Sequence, residues 1–502
     1  MDYIILLPIF LPIVIGFGLL VSSFKEHLSK NNDYEDKSSK ELKPLHGLML
    51  LTIIVSAVSA IYVGSQEGLS YTLFYLMKDI PIYFSVDKIS FLFVTFVSIV
   101  FVLVGIYSCV YMKHEKEEKR FFGFFLMVYG VLVALDFAGN LITLYLFYEL
   151  MTLTSMPFVL HNGSHESIMA SLKYLLYSMA GAYLGLFGIF VLSKFTTSLT
   201  FSVGGTLDVA LAAQSQTLVL IAIMCMLIGF GAKAGMFPLH AWLPTAHPVA
   251  PSPASAILSS IIVKCGVLAI IRVVYYIVGP SFIAGTWVQN TWMILTLLTV
   301  FMGSLLAYKE PVLKKRLAYS SVSQVSYVLF GLSVLTSEGL TGGLLHTLFH
   351  VFIKCGLFLI AGIFIFKCHK TRVEELKGIG KSMPITLWCF TILSLGLIGI
   401  PPTSGFISKW YLAQGALNAD IGVLSYVGPI ILLISALLTA GYLLEITVIG
   451  FFPGKDAVIE KGEEAPKAMW IPLVVFAALT VVLGLFPNQI VDFLNSIVSI
   501  LF

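Results

Sequence analysis

Fourteen apolar runs, each of a length that crosses a bilayer, constrain this 502-residue chain more than any other feature. They lie at about 2–24, 46–64, 89–112, 121–138, 140–160, 168–193, 216–240, 252–278, 290–308, 317–336, 340–366, 384–417, 424–451 and 468–487. A spanning helix needs about 20 predominantly apolar residues, so the expected fold is an all-α polytopic membrane protein of about fourteen transmembrane helices. Composition agrees: 11% of residues are charged, against about 25% in soluble proteins. A net charge of +3 is too small for nucleic-acid binding, which rests on many phosphate-neutralising bases. The lipid bilayer is the expected partner, and a soluble globule or a disordered chain is excluded.

Charge placement predicts orientation. Asp2 precedes the first run and Lys25 and Lys30 follow it, the reverse of a signal peptide. The first run therefore reads as a retained helix, with the N-terminus and, after fourteen spans, the C-terminus outside. Of the 30 Lys and Arg residues, 21 fall in loops 25–45, 113–120, 309–316, 367–383 and 452–467, which are then cytoplasmic. Three, Lys78, Lys88 and Lys194, fall on the other side, a bias that fits the positive-inside rule. Six remain inside apolar runs: Lys173, Lys233, Lys264, Arg272, Lys354 and Lys409.

Redox and nucleotide motifs are missing from the sequence. The six cysteines form no Cys-x-x-Cys pair, and most sit in apolar runs as small hydrophobes. Gly380-Lys381-Ser382 resembles the end of a phosphate loop, but Glu375 stands where its first glycine belongs. No cofactor is expected in this chain.

Two runs are interrupted by proline. One reads Gly229-Phe-Gly-Ala-Lys233-Ala-Gly-Met-Phe-Pro238 and continues through His240, Pro244 and His247; the other reads Gly399-Ile-Pro401-Pro402-Thr-Ser-Gly405-Phe-Ile-Ser-Lys409. Proline frees a carbonyl, tolerable in a membrane only against protein or a wet cavity. The breaks fall in spans seven and twelve, five apart. Each is then the fourth member of a five-helix block, 121–278 (broken around 229–245) or 290–451 (broken around 384–417). An odd number of spans inverts the second block, and inverted repeats with discontinuous helices mark transporters. Three peripheral helices (1–112) precede the blocks. A loop, a last helix and a tail (452–502) follow, with 488–502 as a short interfacial helix.

Buried charge supplies the candidate chemistry, because a charge at mid-membrane costs about 2.5–3.5 kcal/mol on insertion scales. Glu149 lies midway along span five, either in a fixed ion pair or in a switchable one with Lys233. Lys264 is near mid-depth in span eight, and Arg272, two turns on, snorkels toward the helix end. Lys173 is either a snorkelling lysine or a relay member. His346, His350 and Lys354 are spaced i, i+4, i+8, on one helix face over about 12 Å. That pattern reads as a proton wire, with no carboxylate or thiolate nearby to complete a metal site. His240 and His247 flank the first break near the cytoplasmic surface, in hydration or relay roles. Glu445, in span thirteen, completes the short inventory of membrane carboxylates with Asp136.

These residues carry a resemblance. The stretch Gly231-Ala-Lys233-Ala-Gly-Met-Phe-Pro238-Leu-His240-Ala-Trp-Leu-Pro244-Thr-Ala-His247, with Tyr148-Glu149-Leu-Met, Arg316 to Gln324 and His350-Val-Phe-Ile-Lys354, resembles the antiporter-like subunits. Those occur in respiratory complex I, Mrp-type Na+/H+ antiporters and membrane-bound energy-converting hydrogenases. The resemblance covers about 85–450 and implies two inverted half-channels joined by a polar axis. It assigns Glu149 and Lys233 as the acid–lysine pair, Lys264 as the central lysine, His346 and His350 as the second-half histidines and Lys409 as the terminal exchange residue. It implies a proton-translocating subunit of a redox-driven complex in a prokaryotic cell membrane, beside other membrane subunits and peripheral hydrogenase or iron–sulfur subunits. The alternative it leaves is the D-type subunit of an Mrp antiporter.

Overall fold

The computed structural model describes residues 2–29, 38–78, 80–454 and 462–502; Lys30, Lys37, Lys455 and Lys461, counted above as loop bases, lie outside them. Residues 1–175 and 176–502 form two compact units.

The first unit holds α1 (Leu7–Ser29), α2 (Ser38–Gly64), α3 (Lys88–Tyr111), α4 (Glu118–Asp136), α5 (Leu141–Val159) and the start of α6 (His165–Leu192). Side-chain caps start the helices where the pattern expects them. Asp87 accepts the Ser90 amide at 2.8 Å and Asn140 the Thr143 amide at 2.7 Å, each satisfying an orphan donor of a first turn. Helices α1 and α4 approach closely through glycine: a Cβ on Gly130 would lie 2.4 Å from the Ile9 carbonyl oxygen, the small-residue packing that membranes favour. The sequence reading assigned no strand, yet β1 (Ser70–Met77) and β2 (Ile80–Ser85) form an antiparallel hairpin between α2 and α3, with Ser70 opposite Ser85. Its aromatic and β-branched residues suit a strand, but the run is too short to stand out between two long apolar helices. Asn140 fastens the hairpin by donating to the Pro81 carbonyl at 2.8 Å.

The second unit continues with α7 (Gln216–Ala234), α8 (Leu243–Val249), α9 (Ser252–Val278), α10 (Trp287–Lys309), α11 (Leu313–Ser333), α12 (Ser337–Cys368), α13 (Pro384–Ile398), α14 (Ser404–Asn418), α15 (Leu424–Phe451), α16 (Lys467–Leu485) and α17 (Asn488–Leu501). Two helices form its centre: the most apolar stretch of α9 is entirely buried and that of α12 is 94% buried, against 33% for α15 and α16. The first break separates α7 from α8 and the second α13 from α14. The tail helix α17 turns Val491, Leu494, Ile497, Val498 and Leu501 inward.

Among the described residues, eleven helices are long and apolar enough to cross a bilayer on length and composition alone. The other expected spans are helical too. Charges at its ends (Glu118, Lys119, Arg120, Asp136) lower the apolar score of α4. Helix α11 carries Lys314, Lys315, Arg316 and Gln324, and the twelfth span is two 15-residue halves.

Candidate functional site

Four bases of the second unit, Lys264, His350, His346 and Lys409, follow one another through its interior. On α9, a π-type stretch, Leu258–Ile262, widens the helix just before Lys264. From there the Lys264 ammonium reaches the Ser259 carbonyl at 3.1 Å and His350 Nδ1 on α12 at 2.5 Å. Two positive charges that close repel by about 6–7 kcal/mol even at an effective dielectric near 20, so the pair holds one proton rather than two. Among the described residues His350 Nε2 has no hydrogen-bond partner. One turn back, the His346 ring lies 6.1 Å from that of His350. His346 engages Ser408 Oγ on α14 through Nδ1 (2.9 Å) and Gln324 Oε1 on α11 through Nε2 (3.1 Å). Its ring stacks on Tyr327 at 5.4 Å, and Lys409 stands 5.0 Å over the same Tyr327 ring. The i, i+4, i+8 face of α12 is thus shared out. His346 faces the second break, His350 meets Lys264, and Lys354, fully buried, donates to the Leu317 carbonyl at 3.0 Å.

Each break leaves helix-terminal carbonyls without intrahelical donors, and different residues satisfy them. Lys409, on α14, donates to the Leu397 and Ile398 carbonyls at the end of α13, at 2.8 and 2.7 Å. That sets a cation on the negative end of a half-helix dipole. At the first break Trp242 Nε1 donates to the Ala232 carbonyl of α7 at 2.9 Å. Lys233, in the last turn of α7, is fully buried. Gly399 and Gly235 take left-handed conformations (φ 89° and 80°) where α13 and α7 stop, which glycine adopts without a Cβ penalty. Lys314, in the first turn of α11, donates to the Ala250 carbonyl just after α8 at 2.5 Å.

His240 sits in the first break, half-buried, its ring stacked with Phe237 at 6.0 Å. His247 differs from the expected surface position. It is fully enclosed on α8, 4.7 Å from the Phe358 ring, and among the described residues neither ring nitrogen has a hydrogen-bond partner; enclosed polar atoms of this kind are places where buried water binds. Arg272 does not snorkel either. It is 2% exposed and lies between the Phe201 and Tyr276 rings, at 4.9 and 4.6 Å, where cation–π attraction replaces water. Glu445 stands apart from the file: half-exposed on α15, it accepts from Arg316 Nη1 at 2.8 Å. Glu149 on α5 and Lys173 on α6 belong to the first unit and are half-buried. Sequence reasoning did not single out Tyr327 or Ser408, and placed Lys314 in a loop. Their signal was weak, a polar group on the inner face of an otherwise apolar helix. Among the described residues no group of three His, Cys, Asp or Glu is placed to hold a metal ion.

Residues 138–439 match the family described as NADH:quinone oxidoreductase/Mrp antiporter, TM, and residues 76–122 match NADH-Ubiquinone oxidoreductase (complex I), chain 5 N-terminus. The chain is 33% identical to the N subunit of the NADH-quinone oxidoreductase of Desulforudis audaxviator over 398 residues, 76% of this chain and 77% of that one. It is 27% identical to the D subunit of the Na(+)/H(+) antiporter of Bacillus subtilis, over 97% of this chain and 94% of that one. In fold it resembles a chain of the Mrp complex from a Dietzia species. The TM-score is 0.83 at 21% identity, covering 100% of this chain and 98% of the other.

Proposed function

Because the chain belongs to the family of membrane subunits shared by NADH:quinone oxidoreductases and Mrp antiporters, we propose that it carries protons across the membrane within a larger, redox-driven complex of the complex I or energy-converting hydrogenase kind. The observation that carries this reading is the file Lys264–His350–His346–Lys409, in which the Lys264 and His350 nitrogens lie 2.5 Å apart and the last lysine closes a broken helix. The bilayer is that of a prokaryotic cell, with both termini outside and the basic loops in the cytoplasm. The two blocks 121–278 and 290–451 act as inverted half-channels. Other membrane subunits flank the chain, and peripheral subunits supply the redox drive.

A proton taken up from the cytoplasmic side, past His247 and its hydrated surroundings, rests on Lys233 while Glu149 is close. An ion pair at about 4 Å is worth about 4 kcal/mol at an effective dielectric near 20. A charge change in a neighbouring subunit that draws Glu149 away removes that attraction and releases the proton inward. It then crosses Lys264, His350 and His346 to Lys409 and leaves on the far side. Lys354 is a reserve position beside Lys264, and Lys173 and His240 are accessory. Glu445, tied to Arg316, lies off this route.

A second reading, the D-type subunit of an Mrp antiporter, is favoured by the end-to-end match to the Bacillus antiporter chain, which leaves little of either sequence unaligned. One experiment tests both. The purified native complex is placed in proteoliposomes with Lys233→Ala and Glu149→Ala chains, and acidification is driven by redox substrate or, separately, by a sodium gradient. Collapse of pumping in both variants, with electron transfer partly retained, supports the relay, and the effective driving force selects the complex. Normal pumping in both variants refutes it.

A further inference from the structure

On the flank of the second unit, α13 and α16 lie side by side and leave an apolar slot between them. Ile385, Trp388 and Ile392 of α13 form one wall, and Val474, Ala478 and Val481 of α16 the other. Each set repeats every three or four residues and so shares one helix face. Seven residues on either helix rise about 10 Å, which sets the length of the slot. It stays open because Ala477 and Ala478 put only methyl groups opposite the larger side chains of α13. Its volume is about 410 Å³. Spread over about 10 Å, that is a section of about 40 Å², half that of a helix about 10 Å across. The slot is therefore too narrow to seat a helix of a neighbouring protein, whereas a single hydrocarbon chain fits.

Both helices begin at the same end of the slot, and that end has the features of a headgroup level. Trp388, 58% exposed, and Trp470 lie within the first two turns of α13 and α16, and tryptophan collects where hydrocarbon meets headgroups. Beyond them stand two exposed lysines, Lys381 one turn before α13 and Lys467 at the first position of α16. Among the described residues, the acids adjoining them in sequence are Glu463 and Glu464. Glu464 is committed to α13. Its carboxylate accepts from the Ile385 amide at 2.8 Å and from the Thr386 amide and hydroxyl at 3.4 and 2.6 Å, so the positive end of that helix offsets its charge. Two ammonium groups then face the one exposed carboxylate of Glu463.

A hydrocarbon slot under a positively charged rim matches an amphiphile with an anionic head. We propose that one anionic phospholipid is a fixed part of this subunit, with an acyl chain in the slot between α13 and α16 and its phosphate at Lys381 and Lys467. The acyl chain fills the gap that the alanines leave. It braces the flank of α13, the half-helix whose far end is held by Lys409. Nothing in this assignment depends on whether the chain moves protons.

The native complex is exchanged into nanodiscs of equal phosphatidylglycerol and phosphatidylethanolamine, and the lipid that stays bound after re-extraction in mild detergent is counted by native mass spectrometry. The wild type is expected to keep at least one phosphatidylglycerol more than Ala478→Trp, whose indole occupies the slot. Lys381→Ala/Lys467→Ala, which changes two exposed side chains only, is expected to lower the preference for phosphatidylglycerol at the retained site at least threefold. Equal counts in Ala478→Trp, or an unchanged preference in the lysine variant, overturns the proposal. So does a retained adduct with the mass of a free fatty acid. Should Ala478→Trp fail to assemble, a photoreactive amino acid in place of Val474 decides in native membranes. A phospholipid adduct supports the proposal, and a crosslink to another subunit overturns it.

Discussion

The contact between Lys264 and His350 yields the most discriminating test of the site, because its two members depend on each other in a way that additive packing would not produce. His350→Leu keeps the volume but leaves the Lys264 ammonium only the Ser259 carbonyl; losing a hydrogen bond that involves a charged group costs about 1.5–3 kcal/mol. Lys264→Met strands His350 Nδ1, and among the described residues Nε2 already has no hydrogen-bond partner, so about 1–3 kcal/mol is lost there. The double variant Lys264→Met/His350→Leu removes both buried bases. Replacing a buried polar pair by apolar residues of similar volume is often neutral, so it should be more stable than His350→Leu alone. The coupling expected from denaturation of the purified protein in mixed micelles is about 1.5–3 kcal/mol. Proton flux in proteoliposomes should stop in all three variants, since each breaks the file at the same hop. Costs that add to within about 0.5 kcal/mol, or normal flux in Lys264→Met, would refute the reasoning.

Lys409→Met should destabilise the protein by about 2–4 kcal/mol, as two half-helix carbonyls lose their charged donor, with Lys409→Arg recovering part of this in the same denaturation assay. Gly405→Ala places a Cβ 1.9 Å from the Gly396 carbonyl oxygen; such overpacking costs about 1–3 kcal/mol or more, and a lower thermal midpoint checks it. His161, in the turn after α5, is held down to about 4 by burial and then by Arg120, against 6.5 for a free imidazole. Its folded pKa is depressed, so the stability it confers is complete above pH 6.5 and is lost as pH falls toward 4. The loss amounts to about 3 kcal/mol, and His161→Gln should flatten that slope in a pH series of unfolding curves.

The spans were legible because a bilayer admits only internally satisfied backbones, helices or closed barrels, and runs of about 20 apolar residues fit helices, so Ser252–Val278 and Leu424–Phe451 emerge at the bounds their hydropathy predicts. The breaks were legible too, from Pro238 and from Pro401-Pro402 beside their lysines. What stayed hidden depends on contacts between residues far apart in the chain. Nothing near Lys409 indicates that its acceptors are Leu397 and Ile398 across a turn. Nothing around Arg272 announces Phe201, so a base near a helix end read as one that reaches for water. The hairpin of β1 and β2 was hidden between its helical neighbours, and the hydroxyls of α11 read singly as ordinary small residues. The partners of Ser320 and Ser323 lie in α15, more than a hundred positions later.

That separation also has a consequence in time. Arg316 donates to groups 126 and 129 residues further along the chain. At a synthesis rate of about 5–20 residues per second, the guanidinium emerges about 6–25 s ahead of Tyr442 and Glu445. Through that interval its charge is an unsealed loop base, able to hold the nascent hairpin of α10 and α11 on the side where bases are retained. Only when α15 docks does the same charge turn into a buried donor, tied to the Tyr442 carbonyl and the Glu445 carboxylate. One residue thus serves first as an address during insertion and afterwards as a fastener between α11 and the late-arriving α15.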